Sequence, residues 1–152
     1  MDLTAERALQ EVLIAAAAAR LLRSAHDLSD GGLAVALAEC CMGGPWATTT
    51  YGASANLSQH EPAVSNEGYL FGEDGARAIV SCDPANVAAI QQLAASHGIP
   101  AHYLGLVGPA DGQAVDLAVG TGEANTECGE NPVVGIDGDL ELSEAFVEFI
   151  LG

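Results

Sequence analysis

Ser24-Ala25-His26-Asp27-Leu28-Ser29-Asp30-Gly31-Gly32-Leu33 brings together the side chains of this sequence best suited to chemistry. A polar, extended stretch leads directly into a glycine-rich helix start. The first turn of a helix has N–H groups without intrahelical partners and carries the positive end of the helix dipole, a combination that suits a phosphate. Gly31 and Gly32 allow an anion to approach the main chain closely. Two readings stay open. In one, Ser29 or Asp30 only caps the helix, its side-chain oxygen accepting an N–H bond two or three residues later. In the other, the segment binds a ligand. Asp27 and Asp30 repel a bare phosphate, and a bound magnesium ion would reverse that preference. His26 is either a general acid or ribose-hydroxyl partner, or a hydrogen-bonded packing residue. Ser24, His26 and Asp27 do not form a local triad, because strand alternation turns Asp27 away from the face shared by the other two.

A second candidate pair is Glu73 and Arg77, which flank a turn. Arg77 offers a planar fork that grips phosphate or carboxylate, and the alternative is an exposed ion pair across the turn. Gly120-Thr121-Gly122 lacks the third glycine of a dinucleotide fingerprint, and Asn131-Pro132 interrupts any helix after it. His60, His97 and His102 lack helical metal-ligand spacing, and Asp137-Gly138-Asp139 lacks the other acidic positions of a calcium loop. No metal ligands are assigned within this chain. Cys40, Cys41, Cys82 and Cys128 show no CxxC spacing, which favours reduced cytosolic thiols over zinc.

These residues need a folded frame, and the composition supplies one. The chain has 152 residues, the size of one domain, and is 49% hydrophobic with mean hydropathy +0.26, too apolar for disorder despite a formal charge of -17. There is no Lys, and only Arg7, Arg20, Arg23 and Arg77 oppose the acidic side chains, so nucleic acid and anionic membranes would be repelled. The acidity reads as a solvated, solubilising surface, with adaptation to high salt as a variant. The apolar run Val12 to Leu22 is too short to cross a bilayer and follows Asp2, Glu6 and Glu11 rather than a basic segment.

Apolar spacing predicts a long first helix after an Asp2 or Thr4 cap, a strand at Ser24–Leu28, and a second helix from Gly31 to Met42. Trp46 to Ser54 reads as a strand, and Asn56 to Asn66 as a loop or broken helix. Tyr69-Leu70-Phe71 and Ala78–Cys82 read as paired strands. Asp83-Pro84 opens a helix closed by Gly98, with Val87, Ile90, Gln91 and Ala94 along one face. Ala101–Val107 and Ala114–Val119 read as a hairpin around Gly108-Pro109-Ala110-Asp111-Gly112. Leu140, Leu142, Ala145, Phe146, Phe149 and Ile150 suggest a terminal helix. The expected fold is α+β, a mixed β-sheet covered by helices in a single domain over residues 1–152.

Ser24 to Glu39 closely resembles the last domain of the phosphoribosylformylglycinamidine synthase family. Leu70-Phe71-Gly72-Glu73 with Arg77, Ile79-Val80-Ser81, Gly98-Ile99-Pro100-Ala101 and Leu104-Gly105 follow in the order of that family, so the resemblance covers essentially the whole chain. It implies the carboxy-terminal domain type shared with aminoimidazole ribotide synthetase and related ATP-using enzymes, excised from a longer chain. It implies an ATP- and Mg2+-dependent ligase of purine biosynthesis that phosphorylates an amide oxygen of formylglycinamide ribotide, admits glutamine-derived ammonia and releases phosphate. The implied partners are the preceding domains of the same chain, a glutaminase and small accessory subunits, in the cytoplasm. The resemblance places the main ATP and magnesium ligands in the preceding domains, so the isolated domain is expected to be inactive and no catalytic residue is assigned to it. It turns His26, Asp27, Ser29, Asp30, Gly31 and Gly32 toward an interdomain cleft, with Glu73 and Arg77 as further contacts. At the Glu-to-Arg turn that family has Ser-Glu-Ser or Ser-Glu-Gln-like residues, and this chain has Gly72-Glu73-Asp74-Gly75-Ala76-Arg77 instead. The alternatives are the same domain of another ATP-dependent superfamily member, or a free-standing binding or assembly module without turnover.

Overall fold

In a computed structural model, residues 2–42, 50–56, 64–73, 75–108, 115–118 and 145–149 are described, the last two segments as backbone only. Helix α1 (Leu3–Ala18) begins where Asp2 accepts from the N–H groups of Thr4 and Ala5, as the sequence predicts. Leu9, Val12 and Ala16, at helical spacing, are its buried face. Strand β1 (Leu22–Asp27) leads into α2 (Gly32–Met42), which buries Leu33, Ala36, Leu37 and Cys41. Strand β2 is Ala53–Asn56, later than the predicted Trp46 start; residues 43–49 lie outside the described residues, and Thr50 to Gly52 are not strand.

Tyr69-Leu70-Phe71 is not a strand. It ends helix α3 (Asn66–Phe71), whose start Ser65 caps by accepting from the Gly68 N–H. The predicted hairpin with Ala78–Cys82 is therefore absent, and that segment is β3, paired with β1. Asp83 caps a 3-10 turn (Pro84–Asn86) that continues into α4 (Val87–Ser96), which buries Ile90 and Ala94. Then come β4 (Ala101–Val107), β5 (Val115–Ala118) and β6 (Ala145–Phe149). The expected terminal helix is thus a strand where it is described.

The six strands form one sheet in the order β1-β3-β6-β4-β2-β5. All neighbours are antiparallel except β2 and β5, which run parallel. This makes the sheet mixed, and it replaces the predicted β4–β5 hairpin, since β2 lies between those strands. Every residue of β3 is buried because helices cover both of its faces. Ala78, Val80 and Cys82 join a cluster with Leu9 and Val12 of α1 and Ile90 and Ala94 of α4. Ile79 joins the opposite cluster with Leu33, Leu37 and Cys41 of α2 and Tyr69 of α3. The expected α+β fold, a mixed sheet covered by helices, is the fold observed.

Candidate functional site

Antiparallel register fixes which way the candidate residues face. His26 pairs with Ile79 and Ser24 with Ser81, while Asp27 pairs with Ala78. Residues opposite each other share a face, so His26 and Ser24 lie on the α2 side and Asp27 on the α1 side. The absence of a local triad follows directly. Ser24 Oγ lies 2.7 Å from Ser81 Oγ. His26 Nδ1 donates to the Asp27 carbonyl at 2.6 Å, and its Nε2 lies 3.4 Å from a Glu39 carboxylate oxygen on α2. These contacts place the His26 ring between the end of β1 and Glu39 of α2.

At the start of α2 the chain turns through two left-handed residues, Gly31 at φ 79° and Gly32 at φ 68°. Glu73 closes this turn from the far side of α3: its carboxylate accepts from the Gly31 N–H at 2.9 Å. An acidic side chain at a helix amino terminus is favourable electrostatically, so Glu73 supports the start of α2 from the end of α3. Ser29 and Asp30 are exposed, as is Asp27. We expect Glu73→Ala to cost about 1 kcal/mol and to lower the thermal midpoint by about 2–4 °C. Glu73→Gln, whose amide oxygen still accepts, should avoid most of that loss; comparing the two melting curves checks this.

Arg77 stands elsewhere than the sequence suggested. It is 7% exposed, so its guanidinium lies inside the fold rather than at the surface. Its guanidinium donates to the Tyr69 carbonyl at 3.3 Å and to the Gly72 carbonyl at 3.4 Å, and lies 5.3 Å from the centre of the Tyr69 ring. A cation there satisfies carbonyls at the carboxy-terminal end of α3 and complements its dipole. Tyr69 is the residue the sequence reading missed at this joint. Its signal was hidden because Tyr69-Leu70-Phe71 has strand-like composition, whereas the helix-start signal sits upstream in Ser65-Asn66-Glu67.

The structure therefore brings Gly31, Gly32, Glu73 and Arg77 to one joint, where the start of α2, the end of α3 and the start of β3 meet. His26 lies nearby on β1. Cys40 and Cys41 sit further along α2 as free thiols. Burial, followed by the neighbouring Cys41 and Glu39, pushes the Cys40 thiol up to about 11, and burial also raises Cys41, so neither is disposed to act as a thiolate nucleophile. Among the described residues no group of three or more His, Cys, Asp and Glu could hold a metal ion. No helix among them is long and apolar enough to cross a membrane.

Residues 1–118 match the family model for the AIR synthase related protein, C-terminal domain. The chain is 45% identical over 130 residues to a phosphoribosylformylglycinamidine synthase subunit PurL from Thermobifida fusca (strain YX), covering 86% of this chain and 15% of that relative. A subunit of the same name from Cutibacterium acnes is 44% identical over 106 residues, 70% of this chain and 13% of the relative. One from Chlorobium chlorochromatii is 38% identical over 120 residues, 78% of this chain and 15% of the relative. The chain thus spans only about one seventh of the length of these relatives. Together with the helix-covered mixed sheet, this match over most of the chain places it in the AIR synthase related, carboxy-terminal domain family.

Proposed function

We propose that this chain works as the carboxy-terminal domain of a phosphoribosylformylglycinamidine synthase, in an ATP-dependent carbon–nitrogen ligase of purine biosynthesis. The observation that carries this is the 45% identity over 130 residues to a subunit of that name, within a family-model match from α1 through β5. In this reading formylglycinamide ribotide, ATP and glutamine-derived ammonia give the amidine, ADP and phosphate. The partners are the preceding domains of the same polypeptide, a glutaminase and small accessory subunits, in the cytoplasm.

The residues described here do not fit a complete ATP–Mg2+ site. The Gly31 N–H is engaged by Glu73, and Arg77 is buried against carbonyls of α3. No metal-holding cluster is present among them. ATP and Mg2+ would supply phosphoryl activation from the rest of the polypeptide. What this domain contributes is a fixed wall of the cleft: the exposed Asp27, Ser29 and Asp30, with His26, Gly31 and Gly32 behind them, held in place by Glu73 and Arg77.

The test is a graft. The segment of the Thermobifida fusca subunit that matches this chain is replaced by this chain, and amidine formation is measured beside the chain alone. The graft is expected to turn over and the isolated chain to show no ATP-dependent amidine formation. A folded, soluble graft without activity, or turnover by the isolated chain, would overturn the reading.

A further inference from the structure

Strand β1 ends the sheet: among the described residues it bonds to β3 alone, and its other edge faces outward. The Leu28 N–H donates to the Arg77 carbonyl at 3.2 Å, continuing the ladder with β3. Main-chain groups alternate along a strand, so Leu28 and His26 turn theirs toward β3, while Asp27 and Ala25 turn theirs outward. The register shifts between Leu22 and Ser24, which leaves Arg23 without a β3 partner. Edge strands are commonly guarded against pairing by Lys, Pro, β-bulges or inward-pointing charges, and the one irregularity of β1 against β3 lies at its start, between Leu22 and Ser24. This strand, Leu22-Arg23-Ser24-Ala25-His26-Asp27, has neither Lys nor Pro, and Arg23, Ser24, Ala25 and Asp27 are exposed. Its two exposed charges have opposite signs.

Two copies of one strand can pair antiparallel about a two-fold axis only if the sequence is complementary to its own reverse. With Ala25 on the axis, Arg23 stands opposite Asp27 of the second copy, and Asp27 opposite the second Arg23. Ser24 then faces His26. The outward N–H and C=O of Ala25 are the pair that two symmetry-related residues exchange. An axis at Ser24 or His26 would put inward-facing main-chain groups at the centre and would remove both Arg–Asp pairs.

We propose that β1 is a self-association edge: it pairs antiparallel with β1 of a second copy about Ala25, joining two sheets into one, with the Arg23–Asp27 pairs selecting the register. The formal charge of -17 on each copy opposes this approach, and salt screens that repulsion over about 8 Å at physiological ionic strength. A contact of one short strand per copy is smaller than the ~1,200 Å² of a stable interface, so the dimer is weak and concentration-dependent.

Sedimentation equilibrium on the 152-residue chain, at rising concentration and moderate salt, tests this. The mass should climb from 15.4 kDa toward twice that value. Asp27→Arg or Arg23→Asp alone sets like charges against each other and should weaken association about tenfold, and the double exchange should restore it. Ala25→Pro removes an outward N–H without touching the β3 ladder and should also abolish the dimer. Far-ultraviolet circular dichroism checks that each variant folds; should the proline variant fail, the charge-exchange series decides alone. A mass fixed at 15.4 kDa throughout, a dimer indifferent to these variants, or a double exchange that does not restore association would overturn the proposal.

Discussion

Gly105→Ala should unfold at a temperature about 6–12 °C below the parent chain, a loss of about 3 kcal/mol. A Cβ at Gly105 would fall on the Ser54 carbonyl oxygen and within 2.8 Å of the Ala55 Cα. Both obstacles are main chain of β2, so no rotamer change relieves the clash and the strands must move apart. Gly105 sits at the register shift of β4 against β6, where Tyr103 pairs with Val147 and Gly105 with Phe146. That shift inserts Leu104 as an extra residue. It lets Leu104 and Val107, three apart, reach the same core cluster, which regular two-residue alternation would forbid. Prying β4 from β2 also loosens β5, which pairs with β2. Gly75→Ala is the control: its Cβ would meet only a Glu6 carboxylate oxygen at 3.7 Å, an ordinary contact. Thermal unfolding of the two variants beside the parent decides the matter. A Gly105→Ala midpoint equal to that of the control would show that the close approach of β4 to β2 has been misplaced.

That bulge also marks the limit of what was legible in the residues themselves. Helices α1, α2 and α4 were readable because each carries a one-sided apolar period with a recognisable start or stop, such as Asp2, or Asp83-Pro84 and Gly98. The pairing of strands was not readable. Ala78–Cys82 looks the same beside Tyr69-Leu70-Phe71 as beside β1, because partner choice is settled by long-range packing rather than by local composition. Apolar residues at helical spacing around Phe146 predict a helix. Its backbone instead pairs on both edges, with β3 and β4. A central strand needs no alternation, and its near-continuous apolar run resembles a buried helix. The candidate site divides in the same way. Gly31 and Gly32 were legible because a glycine pair before a helix signals a special turn, and both have positive φ. Glu73 and Arg77 were found as residues but not in their roles. Nothing within residues 72–77 shows that Glu73 crosses to Gly31, or that Arg77 turns inward to the end of α3.

The same joint sets up the second large effect, at Gly32. Its φ of 68° is a conformation that a β-branched residue adopts only under strain. A Cβ there would lie 2.8 Å from the Leu70 carbonyl oxygen and the Phe71 carbonyl carbon, and 2.9 Å from the Gly72 carbonyl oxygen. Those atoms close the end of α3, where Arg77 already fixes the Gly72 carbonyl. Gly32→Val therefore pushes α2 and α3 apart while forcing an unfavourable backbone, for a combined loss of about 3 kcal/mol and a fall in melting midpoint of about 6–12 °C. Gly31→Asn gives the contrast. Gly31 is also left-handed at φ 79°, but the atoms nearest its Cβ would belong to the Val35 side chain, at 2.6 Å, rather than to main chain, and Asn tolerates such φ better than most residues. It should lose clearly less stability than Gly32→Val. In the grafted synthase, Gly32→Val should also weaken binding of the phosphate-bearing ligand, because the helix start can no longer be approached closely. Unchanged melting and unchanged kinetics together would mean that Gly32 is neither wedged against α3 nor part of the cleft wall. A lowered midpoint with unchanged kinetics would keep the joint as architecture and remove Gly32 from the binding surface.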